Sequence, residues 1–383
     1  MRLHPTVRSH SSNTVSRMVH LASNSGHHFD ASSEAHICLP PPPANPVEAV
    51  ELLLRSLAAG RSNDRLGHIV CEHLGTGGKR LRVRLALGAC AALGVSEEAA
   101  IPWAAACELL HNASLIHDDL QDGDTVRRGH PTTWARYGMP QAVNAGDLLL
   151  MLPFAAIDHP ALPDASRWPL GRALARYAET TVRGQAAELD LLRSQRLDPE
   201  SYLAAVAGKT SALFALPVFG ALLLAGRASD ALRLSAPFEE LGTLFQLQDD
   251  VIDLYGEKGR GERGADIREG KVSALVVEHL SRQPNDRQRL VEILSKSRER
   301  TTSDEVAWAA LRFEQSGAVD AVLDRIHSMA ERARVQLAGE APLLAAADEL
   351  IARSIAPLTH LPGRLKQPSQ SHARTRLSVA HAV

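Results

Sequence analysis

Aromatic side chains are scarce in this chain of 383 residues, because Phe, Trp and Tyr together make up only 4% of it. Alanine and leucine dominate the hydrophobic fraction, which amounts to 45%. Both are strong helix formers, whereas strands favour aromatic and β-branched residues. The composition therefore excludes a sheet-rich fold and predicts an all-α protein.

Cysteines, long apolar runs and net charge are also in short supply. The four cysteines have neither the spacing of a disulfide framework nor that of a zinc site, which is typical of a reducing cytoplasm. No stretch reaches the roughly 18 consecutive apolar residues of a membrane span. A net charge of -2 gives no general attraction to nucleic acid or to an anionic membrane. We therefore expect a cytoplasmic protein with no membrane span and no nucleic-acid partner.

The two ends of the chain differ from its middle. Residues 1–45 are rich in Ser, His and Asn and run into the proline-rich segment LPPPPANP, which predicts a disordered arm and linker. Residues 359–383 predict an equally disordered tail. Between them, residues 46–358 have a helical pattern with short Gly, Pro or Asp interruptions, which predicts one helical domain.

Two aspartates lie where an Ala-rich helix ends, within the segment SLIHDDLQDGDTVRRGHPT. Asp118 and Asp122 are four residues apart and therefore project from one helix face, about 6 Å apart along the axis. Two like charges on one face are unfavourable unless a cation lies between them. Oxygen ligands without a nearby cysteine favour Mg²⁺, which shares its coordination shell with substrate phosphates.

Arg127 and Arg128 follow in the same segment and are permanent cations suited to phosphate oxygens. The segment therefore predicts a magnesium-dependent diphosphate site. A solvated helix end with ordinary charges is the alternative for such a motif standing alone.

A second acidic motif, FQLQDDVID, ends a later apolar helix. Asp249 and Asp253 repeat the spacing of the first pair, and they lie about 130 residues further along the chain. Two such sites are far less probable by chance than one. The Gly-rich, charged segment that follows contains Asp266 and Lys271, and it predicts a mobile lid.

Two further segments predict contacts to anions. In GTGGKRLR, two glycines precede Lys79, Arg80 and Arg82 at a helix start, where backbone N–H groups and the helix dipole bind anions. A basic helix start on the surface is the alternative. Lys209 and Thr210 begin an apolar helix, and an isolated lysine there usually meets an anion.

His111 lies two turns before the first aspartate pair and roughly on the same helix face. A lone histidine is more often a structural residue than a ligand. Its alignment with the aspartates makes a functional role an equal alternative.

In this order and spacing, GGKRLR, DDLQDGDTVRRG, GKT, FQLQDD and DIREGK resemble the trans-isoprenyl diphosphate synthase (polyprenyl synthetase) family, most closely its bacterial geranylgeranyl diphosphate synthases. The resemblance implies an isoprenoid-synthase fold over residues 46–358, with an antiparallel helical bundle around a central active-site cavity, usually in a homodimer. It also implies condensation of isopentenyl diphosphate with an allylic diphosphate, which releases pyrophosphate.

The resemblance also implies a role for each matched residue. Three Mg²⁺ ions would bind the allylic diphosphate, two at Asp118 and Asp122 and the third at Asp249, with Asp253 supporting. The expected catalytic residues are Asp118, Asp122, Arg127, Lys209 and Asp249. The expected substrate-binding residues are Lys79, Arg82, His111 and Arg128 for isopentenyl diphosphate, with Thr210, Gln246 and Lys271 for the allylic substrate.

The sequence departs from the family pattern at two places. Val83 replaces a proline usual after GGKRxR, which we expect to be harmless. The loop before Asp266 often carries a lysine four or five residues earlier, where this chain has Glu262 and Gly261. Lys258, Arg260 and Arg263 are nearby, and a neighbouring cation could replace that contact.

Product length is predicted from the helix that carries the first aspartates. Family members that stop at C15 commonly have aromatic residues at two positions occupied here by Ala113 and Ser114, so a product beyond C15 is expected. Leu110, or a bulky residue of the segment 151–154, would form the floor. We predict geranylgeranyl diphosphate, with longer polyprenyl or farnesyl products as alternatives and diterpenoid biosynthesis as the pathway.

Two other functions fit part of the pattern. A class I terpene cyclase also ionises a diphosphate, but it normally carries an NSE-type second metal motif. The nearest Asn-Asp pair here, Asn285 and Asp286, has neither Ser nor Thr four residues after the asparagine. An inactive regulatory subunit would lack aspartates or basic contacts that this chain has.

Overall fold

The computed structural model describes residues 45–60, 64–256 and 263–361. Predictions for the N-terminal arm, for the tail beyond residue 361 and for the loop residues Lys258, Arg260, Gly261 and Glu262 lie outside the described residues.

Helices and the short connections between them make up the described part of the chain. The first half contains α1 (Pro46–Ala59), α2 (Arg65–Gly75), α3 (Leu81–Ala92), α4 (Glu97–Asp122), α5 (Thr133–Tyr137), α6 (Met139–Ile157), α7 (Asp164–Asp190) and α8 (Pro199–Val206). The second half contains α9 (Ala212–Leu224), α10 (Ala231–Tyr255), α11 (Ala265–Arg268), α12 (Ala274–Arg282), α13 (Arg287–Leu294), α14 (Ser303–Gln315), α15 (Ala318–Gln336) and α16 (Ala341–Ile355).

The remaining regular structure is short. A π-helical turn (Ala207–Ser211) joins α8 to α9, and 3-10 turns lie at Pro284–Asp286, Arg298–Arg300 and Ala356–His360. Two antiparallel strands of two residues each, β1 (Val126–Arg127) and β2 (His130–Pro131), follow α4. The prediction of an all-α protein is therefore confirmed.

Side chains just ahead of several helices explain where those helices begin. Asn45, Asp64 and Ser96 each accept a hydrogen bond from the backbone N–H three residues further on. Thr302 and Glu305 form a capping box at the start of α14. Such caps satisfy N–H groups that have no partner within the helix.

Helix α4 forms the centre of the fold. It packs against α1, α3, α6 and α9, while α10 packs against α9, α15 and α16. The buried Trp103 of α4 donates its indole N–H to the carbonyl oxygen of Pro217 in α9 at 2.9 Å. Many of the other buried residues of α4 are alanines, which allow neighbouring helices to approach closely.

By length and composition alone, two helical stretches of the described residues could cross a membrane, Met139–Ile157 and Pro199–Leu224. In the second, 67% of the most apolar window is buried inside the protein, and in the first 39%. Core helices of soluble proteins pass the same test. The absence of a membrane span therefore stays a prediction.

Candidate active site

One cavity of about 1370 Å³ lies between α4, α7, the π turn and α10. The predicted site residues that line it are Lys79, Arg82, His111, Asp118, Arg127, Arg128, Lys209, Thr210, Gln246, Asp249, Asp253 and Lys271. Asp122 is the exception, although its carboxylate contacts the ammonium of Lys271 at 2.7 Å. The fold therefore brings together motifs that are far apart in the sequence.

The first acidic motif forms the last turn of α4. Gly123 ends the helix with a φ of 73°, a conformation that favours glycine. The Nζ atom of Lys209 lies 2.8 Å from Oδ1 of Asp118, and Lys271 contacts Asp122. Each carboxylate of the pair is therefore matched to one lysine.

This arrangement separates the acidities of the two carboxylates. Burial raises the pKa of Asp118, but the charges of Lys209 and Lys271 outweigh it and hold that pKa below its usual value. Burial and the neighbouring charge of Asp118 raise the pKa of Asp122 to about 6. Like charges that share a site are expected to titrate apart in this way.

The second aspartate of each adjacent pair is hydrogen-bonded to neighbouring groups, although Asp250 also lines the cavity. Asp119 accepts a hydrogen bond from Nε of Arg127 at 2.5 Å and is 1% exposed. Asp250 accepts hydrogen bonds from the hydroxyl of Tyr202 at 2.6 Å and from the backbone N–H of Ala274 at 2.7 Å. These two carboxylates hold other parts of the site in place.

The second acidic motif lies on the last turns of α10. Asp249 and Asp253 both line the cavity. Oδ2 of Asp253 accepts a hydrogen bond from the backbone N–H of Asp266 at 3.1 Å, and its carbonyl oxygen accepts one from Gly264 at 3.0 Å. Helix α11 is therefore attached directly to the end of α10.

Lys209 occupies a different position from the one predicted. It lies inside the π turn, in the middle of a continuous helical stretch, and not at the entrance of a helix. A Cβ atom at Gly184 of α7 would lie 2.1 Å from the backbone nitrogen of Lys209, so only glycine allows this close approach. Glu188 of α7 forms a second ion pair with Lys209, which sequence reasoning missed.

Gln185, another residue of α7 that was given no role, donates hydrogen bonds to Oδ1 of Asp118 at 3.0 Å and to Gln121 at 2.8 Å. Gln185 and Glu188 lie three residues apart and therefore on one face of α7. This spacing of two polar residues is the sequence signal that could have identified them as site residues.

A basic group lines another part of the cavity. Nη1 of Arg82 contacts Nε2 of His111 at 3.1 Å, and its guanidinium lies 4.7 Å from the ring centroid of Phe214. Burial, followed by the charges of Arg82 and Arg128, lowers the pKa of His111 well below its ordinary value. The imidazole is therefore neutral, and it accepts the hydrogen bond from Arg82 at Nε2.

Arg128 is held close to the glycine-rich segment. Its Nη1 donates a hydrogen bond to the carbonyl oxygen of Gly77. Gly78 has a φ of 136°, and a Cβ atom there would lie 2.7 Å from the guanidinium carbon of Arg128. The segment therefore needs glycine for its backbone conformation and for the arginine beside it.

Arg80, which sequence analysis grouped with the anion-binding cations, has another role. Its buried guanidinium forms ion pairs with Glu51 of α1 and with Glu108 of α4, the latter at 2.9 Å. These contacts connect α1 to α4 and neutralise the charge of the guanidinium, so we assign Arg80 a structural role.

A hydrogen-bonded chain fixes the amide of Gln246. Thr210 donates its hydroxyl proton to Oε1 of Gln246 at 3.1 Å, and Nε2 of Gln246 donates to Asp250 at 2.9 Å. The amide is therefore held with a defined orientation at the cavity wall.

Leu110, Leu150 and Leu213 are among the apolar residues that line the cavity, and the small Ser114 lines it as well. Leu110 fits the predicted floor. The alternative floor is wrong, because no residue of the segment 151–154 lines the cavity and the side chains of Met151 and Phe154 are 60% and 41% exposed. Helix α6 presents Leu150 to the cavity, and Met151 and Phe154 in its next turn are exposed.

The donor chemistry of the cavity fits Mg²⁺. Asp118, Asp249 and Asp253 supply hard oxygen atoms to one space. No group of three or more His, Cys, Asp or Glu is close enough to hold a metal ion within the residues that the structure describes. Mg²⁺ typically takes one or two carboxylates and completes its shell with water and substrate phosphates. The site therefore suits a metal that arrives with a diphosphate.

Comparisons with known proteins give the same class. The family model for polyprenyl synthetase matches residues 63–311. The chain is 36% identical over 278 residues to the short chain isoprenyl diphosphate synthase of Methanothermobacter thermautotrophicus, which covers 69% of this chain and 82% of that protein. It is 34% identical over 226 residues to the geranylgeranyl diphosphate synthase of Saccharolobus solfataricus, covering 57% of this chain and 68% of that one. Farnesyl diphosphate synthases are also among the relatives.

A solved structure supports the fold. The crystal structure of a geranylgeranyl pyrophosphate synthase superposes with a TM-score of 0.74 at 25% identity, covering 83% of this chain and 98% of that chain. The fold and the cavity thus define an all-α isoprenoid synthase. The chain belongs to the polyprenyl synthetase family, and it is a trans-prenyltransferase.

Proposed function

We propose that the protein condenses isopentenyl diphosphate with an allylic diphosphate, farnesyl or shorter, to give geranylgeranyl diphosphate and pyrophosphate in a Mg²⁺-dependent reaction. One observation carries this proposal. Two acidic helix ends, a separate basic group and an apolar part all line the same cavity. Such a cavity can hold one diphosphate on metal ions, another on arginine and lysine, and a prenyl chain away from water.

The acidic side of the cavity would activate the allylic substrate. Asp118, Asp122 and Asp249 would hold three Mg²⁺ ions, with Asp253 supporting them. Bound there, these ions supply Lewis acidity to the diphosphate oxygens. Arg127, Lys209 and Lys271 stabilise the negative charge that develops as the C–O bond breaks and its electron pair leaves with pyrophosphate.

The basic side would place the second substrate. Lys79, Arg82 and Arg128 bind the diphosphate of isopentenyl diphosphate, and His111 is a neutral hydrogen-bonding partner. The alkene of isopentenyl diphosphate then attacks the allylic cation, and the new C–C bond moves the charge to a carbon that loses a proton. The released pyrophosphate accepts that proton, so no general base from the protein is required.

Three features support a product of C20. Ala113 and Ser114 are small, and Ser114 turns its hydroxyl back to the carbonyl oxygen of His111 at 2.7 Å, so it leaves room beside the helix. Leu110, one turn further, lines the cavity and would stop the chain. The alternatives are a farnesyl synthase, if Leu150 closes the cavity earlier, and a synthase of longer polyprenyl chains.

We also propose that the protein is a cytoplasmic homodimer in isoprenoid or diterpenoid biosynthesis. Met139, Val143, Met151 and Phe154 of α6 are all more than 40% exposed. Exposed apolar residues on one helix are typical of a surface that a second copy covers. Light scattering of the purified chain should give twice the monomer mass of 41.3 kDa.

The decisive experiment measures pyrophosphate release and product mass from isopentenyl diphosphate with C5, C10 and C15 allylic starters. We expect release to require both substrates and the product to be C20. A terpene cyclase would release pyrophosphate without isopentenyl diphosphate, and a regulatory subunit would release none. Either result would overturn the proposal.

A further inference from the structure

Five charged side chains connect in a ring at the edge of the cavity, which we call the charge ring. Lys271 contacts Asp122 at 2.7 Å and Glu269 at 2.9 Å. Nη1 of Arg298 contacts Glu269 and Asp124, each at 3.0 Å. Because Asp122 and Asp124 are two residues apart, the ring begins and ends at the C-terminal end of α4.

Exposure differs sharply around the charge ring. The side chains of Asp122 and Glu269 are only 6% and 7% exposed, whereas that of Arg298 is 48% exposed. A buried carboxylate without a partner is strongly unfavourable. Arg298 therefore reaches in from the solvent side and neutralises Glu269.

The position of Arg298 affects Lys271 through Glu269. Two carboxylates compete for the ammonium of Lys271, one from α4 and one beside α11. When Arg298 shares the charge of Glu269, the attraction of Glu269 for Lys271 is weaker. Without Arg298, the full charge of Glu269 would act on Lys271 and repel an incoming diphosphate.

Arg298 also joins parts of the chain that are far apart. It lies in the 3-10 turn between α13 and α14, and its partner Asp124 is 174 residues away in the sequence. The bond to Glu269 brings in the residue that ends α11. Arg298 therefore connects the first acidic motif to the segment that carries Lys271.

We propose that Arg298 is a positioning residue for the allylic diphosphate: it holds Glu269 and Asp124, and thereby keeps Lys271 directed at the leaving group. This inference rests on the proposed function, which assigns the leaving group to Lys271. No sequence motif marks Arg298, because its partners are defined only by the fold.

Steady-state kinetics of matched variants test the proposal. Arg298→Met should raise KM for the allylic diphosphate about five- to tenfold and leave KM for isopentenyl diphosphate unchanged, since contacting charged groups typically couple by about 1 kcal/mol. Arg298→Lys should keep most of the affinity. Arg300→Met, an exposed residue in the same turn, is the control and should match the wild type.

A double variant separates positioning from simple loss of charge. If Glu269 misdirects Lys271 once Arg298 is gone, Arg298→Met combined with Glu269→Gln should recover most of the allylic affinity. A loss in the double variant that equals or exceeds that of Arg298→Met, or an equal loss in Arg300→Met, would overturn the proposal.

Hydrogen exchange gives a measurement that does not depend on turnover. The N–H of Lys271 donates to the carbonyl oxygen of Asp266 at 2.8 Å, which closes the turn at α11. In protein without metal or substrate, Arg298→Met should speed exchange over residues 265–271 several-fold, and Arg300→Met should not. If exchange is faster in Arg298→Met but the wild-type protein makes no prenyl product, only the proposed function is contradicted. If the wild-type protein is active but exchange is unchanged in Arg298→Met, only the proposed role of Arg298 is contradicted.

Discussion

At the scale of single residues, adjacent aspartates have opposite tasks. Asp118 and Asp249 line the cavity, whereas Asp119 holds Arg127 and Asp250 holds Tyr202. One residue of an α-helix is rotated about 100° from the next, so the side chains of adjacent residues point in different directions. In both pairs the second aspartate therefore holds a neighbouring side chain in place, although Asp250 does so at the cavity wall.

Gly78 gives a test at this scale. Gly78→Ala should raise KM for isopentenyl diphosphate about tenfold, because a strained conformation costs roughly 1–3 kcal/mol and the added methyl group would displace Arg128. KM for the allylic substrate should change little. Initial-rate kinetics check this, with Gly75→Ala as the control because no atom lies within 4 Å of a Cβ atom there. Equal changes in both KM values would contradict the assignment of Arg128.

The residues that sequence reasoning missed share a physical reason. Glu188, Glu269 and Arg298 act through ion pairs with partners that are remote or lie across a turn. The aspartate motifs were found because both members of each pair lie within one helical turn. A single charged residue carries no such local signature, so only the fold reveals its partner.

At the scale of elements, α4 carries the acidic motif and part of the apolar wall in one continuous helix of 26 residues. Ser114 lies one turn before Asp118, on the same face. Ser114→Phe should therefore block the cavity and shift the product from C20 toward C15. The chain length of the radiolabelled product measures this shift. Ser114→Ala is the control and should leave the product unchanged. An unaltered product spectrum in Ser114→Phe would refute the proposed path of the chain.

The contact between α1 and α4 gives a prediction for stability. Arg80→Met should lower the free energy of unfolding by about 3 kcal/mol, because it leaves the carboxylate of Glu108, whose side chain is 3% exposed, without its charge partner. Denaturant unfolding measures this change. Arg84→Met, at an exposed position of α3, is the matched control and should have little effect. A loss well below 1 kcal/mol in Arg80→Met would argue against a structural role.

Sequence patterns predicted the helices well, and their ends less well. The pattern around Lys209 predicted a helix start, since Gly208 and Lys209 interrupt an apolar run. The structure instead continues through a π turn, because the close approach of Gly184 in α7 fixes the backbone there. Such tertiary contacts override local propensity and leave no trace in the local sequence.

At the scale of the whole molecule, the acidic motifs come from α4 and α10, so the site forms only when the bundle is assembled. Removal of divalent ions with EDTA should abolish turnover, and added Mg²⁺ should restore it. The physical reason is that Lys209, Lys271 and Arg127 cannot by themselves replace the ions that, in our proposal, the carboxylates from two helices hold. Measured pyrophosphate release that persists without divalent ions would contradict the proposal.

The two lysines that contact the acidic motif have a consequence for the order of binding. A bare metal ion would have to displace an ammonium group from Asp118 or Asp122, and that ammonium would keep one carboxylate partner in place of two, Glu188 for Lys209 or Glu269 for Lys271. A diphosphate that enters with the metal offers Lys209 and Lys271 new oxygen partners at the same moment. We therefore expect the metal ion and the diphosphate to bind together. Each should raise the affinity of the site for the other, and either one alone should bind weakly.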